Sequence, residues 1–129
     1  MKKILLIDDE PAFLEMMKKP LVSGGYEILL AEDGEEGYEI AKKEKPDLIV
    51  LDVMLPVMDG FKVCGLLKND ARFTQIPVIL FSAKASDTET ALAEEVKADV
   101  YLTKMEGSKR LLEEIRRLLG EPTSFRQKE

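Results

Sequence analysis

Three hydrophobic runs in this sequence end at acidic or hydroxyl-bearing residues. The first run is followed by Asp8 and Asp9, the second by Asp52 and the third by Ser82. Short continuous apolar runs are typical of strands that are buried inside a parallel sheet. Parallel strands that lie side by side end at the same edge of the sheet, where a crevice forms. The sequence therefore predicts one crevice that holds three carboxylates and a hydroxyl.

Three carboxylates in one crevice repel one another and need a cation. At an effective dielectric constant of about 20, two like charges about 4 Å apart repel by roughly 4 kcal/mol. The chain has no histidine, which excludes histidine-based nucleophilic catalysis and histidine-ligated metal sites within the chain. Oxygen ligands favour a hard cation such as magnesium, manganese or calcium. We therefore expect a metal site made of carboxylates.

Composition and charge narrow the class of protein. The 129 residues are 45% hydrophobic, which is enough for one domain, predicted over residues 1–120 with a C-terminal tail at 121–129. The net charge is −6 and the basic residues are scattered, so direct nucleic-acid binding is not expected. The single Cys64 cannot form an internal disulfide, and no leader or long apolar span is present. A cytoplasmic protein without membrane contact is expected.

Five predicted strands alternate with five predicted helices. The strands are expected at residues 3–8, 26–31, 47–52, 76–81 and 99–102. Pro11 suits the first turn of the first helix, and Pro20 is expected to end or kink that helix. The fourth helix, which opens at Ser86, is poor in large apolar residues and should pack weakly. The alternation predicts an α/β fold with a parallel sheet and helices on both faces.

Several residues have predicted structural roles. Asp59 and Ser108 are expected to cap the third and the last helix. Met16, Met17 and Cys64 are interpreted as core residues.

Four motifs resemble those of the receiver domains of bacterial-type response regulators. They are similar in order and spacing across about residues 2–119, and they comprise Ile4 to Pro11, Leu51 to Gly60, Phe81 to Lys84 and Tyr101 to Lys104. The resemblance implies a flavodoxin-like, doubly wound sheet with the strand order 2-1-3-4-5.

The resemblance also implies a phosphorylation switch centred on Asp52. This carboxylate would accept a phosphoryl group from the phosphohistidine of a histidine kinase or a phosphotransfer protein. Asp8, Asp9, Asp52 and the backbone carbonyl of Met54 would hold Mg²⁺. The chain would be a signalling domain that slowly hydrolyses its own aspartyl phosphate, and not an enzyme.

Other residues are implied to bind the phosphoryl group and to transmit the change. Lys104, the Ser82 hydroxyl and the backbone N–H of Ala83 would contact phosphoryl oxygens. Tyr101 would leave a solvent-facing rotamer when Ser82 moves inward. The surface formed by the fourth helix, fifth strand and fifth helix would then change for a downstream effector or a homodimer formed on phosphorylation.

The sequence departs from the family pattern at two positions. Met105 follows Lys104 where relatives usually have a cis proline, and Lys97 stands where a glycine commonly ends the fourth helix. These departures keep open a pseudo-receiver, an adaptor that signals without phosphate. Whether the chain is free-standing or part of a longer protein is also open.

Simpler interpretations remain for single residues. Asp8, Asp9 and Asp59 could each be only a helix cap. Tyr101 could be an ordinary strand aromatic, and Lys84 either a solvated loop residue or a neighbour of the phosphoryl group. A phosphohydrolase of the haloacid-dehalogenase kind is a weaker alternative, because it needs a second aspartate two residues after its nucleophile. A flavin-binding protein is weaker still, since the first strand leads into acids.

Overall fold

A computed structural model of the protein describes residues 1–83 and 86–121. Five parallel strands form one sheet in the order β2-β1-β3-β4-β5, which confirms the predicted order. The strands are β1 (Lys3–Ile7), β2 (Glu27–Ala31), β3 (Leu48–Asp52), β4 (Val78–Ser82) and β5 (Val100–Thr103).

Five helices cover the two faces of the sheet. They are α1 (Pro11–Ser23), α2 (Gly34–Glu44), α3 (Gly60–Lys68), α4 (Asp87–Glu95) and α5 (Gly107–Leu118), and a short 3-10 turn, Lys104–Glu106, links β5 to α5. Side chains of α1 and α5 share one core cluster with one face of the strands, and those of α2, α3 and α4 share the other. No helix within the described ranges is long and apolar enough to cross a membrane.

The continuous apolar runs of the central strands follow from this two-sided burial. In β1, Leu5 and Ile7 pack on the side of α2 and α3, whereas Ile4 and Leu6 pack on the side of α1 and α5. Successive side chains of a strand point to opposite faces, so both faces of a covered strand must be apolar. All five residues of β3 and all five of β4 are buried.

The first helix differs from the prediction at two residues. Of the two outcomes expected at Pro20, an end or a kink, the end is wrong, because the helix continues through Pro20 to Ser23. Proline costs about 3 kcal/mol inside a helix, and the burial of the next residue, Leu21, contributes a comparable 1.5–3 kcal/mol or so. Met16 is 60% exposed and is not a core residue. The buried stripe consists of Leu14, Met17 and Leu21, and Met16 lies beside it.

The start of the last helix also differs from the prediction. Ser108 is not the cap, because α5 already begins at Gly107 after the 3-10 turn. The turn is closed by Glu106, whose carboxylate accepts a hydrogen bond from the backbone N–H of Thr103 at 2.9 Å. By contrast, Asp59 caps α3 as predicted and accepts from the backbone N–H of Lys62 at 2.9 Å.

Both departures from the family pattern have a defined geometry. The Lys104–Met105 peptide bond is trans. Lys97 has a φ of 63°, in the left-handed region that glycine adopts easily. The N–H of Ala98 closes this turn by donating to the carbonyl of Ala93 at 3.0 Å. The glycine conformation is therefore retained with a lysine, at a cost of roughly 1–2 kcal/mol.

Two earlier expectations fall on residues outside the described ranges. These are the role of Lys84 and the tail beyond residue 121. Glu121 itself is described, and its carboxylate accepts a hydrogen bond from the Tyr26 hydroxyl. Burial and this carboxylate raise the pKa of Tyr26 to about 12.

Candidate functional site

The carboxyl ends of β1 and β3 bring three acids together. Asp8, Asp9 and Asp52 each place one carboxylate oxygen within 4.8 Å of the others. The two strands are paired in register, so that Ile7 lies opposite Leu51 and the residues that follow meet at the same edge. Asp8 is 3% exposed and Asp52 is 6% exposed, whereas Asp9 is exposed. An oxygen-only set of three carboxylates has the chemistry that Mg²⁺ prefers.

A close backbone contact fixes the end of β3. A Cβ atom on Gly60 would lie 2.2 Å from the carbonyl oxygen of Asp52, so only glycine allows α3 to start this close to the strand. The N–H of Gly60 also donates to the carbonyl of Val53 at 2.9 Å. The backbone N–H of Met54 donates to Oδ1 of Asp52 at 3.3 Å. The Asp52 carboxylate is therefore held by its own loop.

Lys104 places a positive charge in the crevice. Its Nζ lies 2.7 Å from Oδ2 of Asp8 and 3.6 Å from Oδ2 of Asp52. Burial lowers the pKa of Lys104, but the hydrogen bond to Asp8 and the charge of Asp52 outweigh burial, and the net shift is upward. The lysine is therefore an ammonium ion placed between two buried carboxylates.

Burial controls the ionisation of Asp52. Removal from water and the neighbouring charge of Asp8 raise the pKa of Asp52 to about 6, although Lys104 acts in the opposite direction. At pH 7 most Asp52 side chains are ionised, since the pH exceeds this pKa. A divalent cation between the carboxylates would favour the ionised form further.

The sequence analysis did not predict a contact between Phe13 and Lys104. The Lys104 Nζ lies 4.3 Å from the centroid of the Phe13 ring, in cation–π geometry. The ring of Phe13 also packs against Phe81 at 5.7 Å between centroids. The sequence could have suggested the contact, because Phe13 lies in the first turn of α1, and this helix starts at the carboxyl edge of the sheet.

Ser82 and Tyr101 share a partner that the sequence analysis also missed. The Ser82 hydroxyl donates to Oε1 of Glu89 at 2.8 Å, and the Tyr101 hydroxyl donates to the same oxygen at 2.6 Å. Ser82 is buried and Tyr101 is half-buried. The solvent-facing rotamer expected for Tyr101 is therefore not the one found. Burial, and next the hydrogen bond and charge of Glu89, raise the pKa of Tyr101.

A cavity lies beside Ser82 and Glu89. It has a volume of about 360 Å³ and is lined by Met54, Ser82, Ala83, Ser86 and Glu89. Ala83 is exposed, and the side chain of Met54 is 68% exposed. The space next to Ser82 is therefore open to a small ligand group at the carboxyl edge of the sheet.

Comparisons with known proteins agree on one family. The sequence model of one protein family, the response regulator receiver domain, matches residues 4–116. The chain is 43% identical over 103 residues to the alkaline phosphatase synthesis transcriptional regulatory protein PhoP of Bacillus subtilis, covering 80% of this chain and 42% of that protein. It is 34% identical over 120 residues to protein PilH of Pseudomonas aeruginosa, covering 93% and 99%. The chain thus spans less than half the length of some relatives and nearly all of another.

Solved structures show the same architecture. The receiver domain of a signal transduction histidine kinase from Syntrophus aciditrophicus has a TM-score of 0.87 and 32% identity, covering 93% of this chain and 91% of that one. The receiver domain of the sensor histidine kinase PA1611 from Pseudomonas aeruginosa, described with a magnesium ion coordinated in the active site cleft, has a TM-score of 0.84 and 26% identity, covering 93% and 98%.

Proposed function

Because the chain belongs to the response regulator receiver domain family, we propose that it signals by accepting a phosphoryl group on Asp52. One observation carries this proposal. Asp52 is 6% exposed, lies in a cluster with Asp8 and Asp9, and has the ammonium of Lys104 3.6 Å away. A buried nucleophilic carboxylate next to a positive charge and a metal-binding set of acids is what phosphoryl transfer to a carboxylate requires.

In the proposed reaction, an oxygen of ionised Asp52 attacks the phosphorus of a phosphohistidine on a histidine kinase or phosphotransfer protein. A P–O bond to Asp52 forms and the P–N bond breaks. The electron pair stays on the imidazole nitrogen, and a proton from water keeps the released histidine neutral. With a pKa of about 6, Asp52 is mainly in the nucleophilic form at pH 7.

The acids would bind the metal ion, and Lys104 would bind the phosphoryl group. Asp8, Asp9, Asp52 and the backbone carbonyl of Met54 would hold Mg²⁺, which would neutralise charge on the phosphoryl oxygens. The set suits this ion, because three carboxylate oxygens lie within 4.8 Å of one another. Lys104 would exchange its contact with Asp8 for a phosphoryl oxygen.

Two hydrogen-bond donors at the end of β4 would complete the phosphoryl site. Ser82 is the last residue of β4 and Ala83 follows it, and β4 pairs with β3 in the sheet. The Ser82 hydroxyl and the backbone N–H of Ala83 would each donate to a phosphoryl oxygen. The open cavity beside Ser82 supports this placement.

The expected output surface consists of α4, β5 and α5. Tyr101 lies in β5 and contacts α4 through Glu89, so a change at Ser82 would reach this surface. We propose that a downstream effector protein or domain, or a second copy of the phosphorylated chain, binds there. PhoP of Bacillus subtilis is named as a transcriptional regulatory protein, and the chain covers 42% of its length. The receiver would comprise residues 1–120 and would hydrolyse its aspartyl phosphate slowly.

The pseudo-receiver alternative has less support. It rested on Met105 and Lys97, yet Lys104 lies 2.7 Å from Asp8 with a trans peptide bond at Met105. Lys104 therefore reaches the acid cluster although Met105 follows it, which supports the phosphoacceptor proposal.

Intact mass spectrometry tests the proposal. The protein is incubated with Mg²⁺ and acetyl phosphate, in which the P–O bond to acetate breaks as the bond to Asp52 forms. Wild type should gain the mass of one phosphoryl group, and Asp52→Asn should gain none. Omission of Mg²⁺ should slow the gain strongly. Wild type that gains no mass, or a labelled Asp52→Asn variant, would contradict the assignment.

A further inference from the structure

We propose that Glu89 is a positioning residue that holds Ser82 and Tyr101 in the unphosphorylated arrangement, so that phosphorylation of Asp52 must displace it. This inference rests on the proposed function and adds a regulatory residue to it. Glu89 lies in the first turn of α4, outside the acid cluster at Asp8, Asp9 and Asp52.

The geometry at Glu89 is that of a shared acceptor. One carboxylate oxygen, Oε1, receives the Ser82 hydroxyl at 2.8 Å and the Tyr101 hydroxyl at 2.6 Å. Hydrogen bonds to an ionised acceptor are about twice as strong as those between neutral groups. The two hydroxyls come from neighbouring strands, where Leu80 pairs with Tyr101 and Ser82 with Thr103. Glu89 therefore joins β4, β5 and α4 at one atom.

Helix capping alone does not account for this side chain. Ser86 and Glu89 have the spacing of a capping box, in which the glutamate would turn back to the N–H of the cap residue. Ser86 does cap α4 by accepting from the N–H of Glu89 at 3.1 Å. The Glu89 carboxylate, however, is directed at the hydroxyls of Ser82 and Tyr101.

The Ser82 hydroxyl can bind either Glu89 or a phosphoryl group on Asp52. A hydroxyl has one hydrogen to donate, so Ser82 cannot donate to Glu89 and to a phosphoryl oxygen at the same time. The negative charge of the phosphoryl group would also repel the Glu89 carboxylate. Once Ser82 turns to the phosphoryl group, Glu89 keeps the Tyr101 hydroxyl as its donor and loses that of Ser82.

Because Glu89 lies in a weakly packed helix, its displacement costs little free energy. Ala93, which is 4% exposed, is the one buried residue of α4. A shift of this helix therefore exposes little apolar surface. Release of Glu89 would free Tyr101 and the start of α4 together, which converts a change at Asp52 into a change of the output surface.

The test compares Glu89→Ala with Asp87→Ala. Both substitutions remove one negative charge from the first turn of α4, but the Asp87 side chain is exposed and outside the proposed site. Glu89→Gln is a third variant, which retains the size of the side chain and lacks its charge. The initial rate of phosphorylation of each variant is measured with acetyl phosphate and Mg²⁺. The Tyr101 ring signal is recorded by NMR of ¹³C-labelled tyrosine without a phosphodonor. The Tyr101→Phe variant, which lacks this signal, assigns it.

The proposal predicts an initial phosphorylation rate about tenfold higher in Glu89→Ala than in wild type, within the range typical of coupling between sites. The Tyr101 ring signal of the unphosphorylated variant should move away from its wild-type position. Asp87→Ala should change neither quantity by more than about twofold. Glu89→Gln should lie between Glu89→Ala and wild type, and it replaces the alanine variant if that variant does not fold.

The outcomes separate this inference from the proposed function. If wild type accepts phosphate but the Glu89 and Asp87 variants have equal rates and an unshifted Tyr101 signal, the role of Glu89 is wrong and the phosphoacceptor function stands. If wild type accepts no phosphate, the proposed function fails. The Tyr101 signal still decides in that case, because an unshifted signal in the Glu89 variant would overturn the positioning role.

Discussion

Asp52→Asn should stabilise the protein in the absence of Mg²⁺, because the wild-type carboxylate is ionised in a buried place. Burial is the largest cause that raises the pKa of Asp52 from its ordinary value of 3.8 to about 6. At 1.36 kcal/mol for each pKa unit, this shift corresponds to about 3 kcal/mol. Asparagine has nearly the same shape and no charge, so it should recover much of this free energy.

The effect must depend on pH with a definite sign. Between pH 3.8 and about 6, the folded protein binds more protons at Asp52 than the unfolded chain does. The stability of wild type therefore falls as the pH rises through this window, and the loss is complete above it. Asp52→Asn lacks the group, so its advantage should be small near pH 4 and close to its maximum at pH 7.

Urea denaturation from pH 4.5 to pH 8 measures this difference. At pH 7 without metal, we expect the free energy of unfolding of Asp52→Asn to exceed that of wild type by about 2–3 kcal/mol, with a melting temperature higher by roughly 10 °C. Saturating Mg²⁺ should narrow the gap, because an ion that binds the folded state stabilises it and the variant has lost a ligand.

Asp9→Asn is the matched control, since Asp9 belongs to the same cluster but is exposed. Its charge is the smallest of the causes that shift the pKa of Asp52, so this variant should gain much less than Asp52→Asn. An Asp52→Asn variant no more stable than wild type at pH 7, or a gain independent of pH, would refute the argument from burial.

Three further predictions concern residues around the site. Lys97→Gly should raise the free energy of unfolding by about 1 kcal/mol in thermal denaturation, because φ is 63° there, and Lys97→Ala should bring no such gain. Phe13→Leu should lower the initial rate of phosphorylation severalfold in a mass-based time course, since the Lys104 ammonium loses an aromatic contact at 4.3 Å worth about 1 kcal/mol; an unchanged rate would speak against this role. Gly60→Ala should destabilise the fold by several kcal/mol in urea, because its Cβ would meet a backbone oxygen at 2.2 Å, whereas Gly65→Ala, with a neighbour at an ordinary 3.5 Å, should not.

Apolar patterning was a good guide to the sheet and a poorer guide to the helices. Strand runs such as Leu48–Asp52 are continuous because both faces of the strand are covered, and all five residues are buried. A continuous apolar run of this length is easier to recognise in a sequence than the one-sided apolar stripe of a surface helix. Helix faces are less distinct. Met16 and Met17 differ by one position, yet one is 60% and the other 2% exposed, and the exact packing of α1 on the sheet decides between them.

The expected meeting of Asp8, Asp9 and Asp52 required only that two buried strands be neighbours and parallel. Lys104 could be placed by resemblance, but its 2.7 Å contact with Asp8 spans 96 positions of the chain. No periodicity in the sequence encodes such a distance.

The amino-acid sequence by itself determined which residues form strands, that the strands are parallel, and that acids collect where they end, since these features follow from local patterns of polarity. Only the tertiary structure decided that Phe13 lies beneath the Lys104 ammonium and that Glu89 accepts from both Ser82 and Tyr101. The physical reason is that such contacts depend on how helices are seated against the sheet, which is settled by the packing of the whole core and not by any single segment.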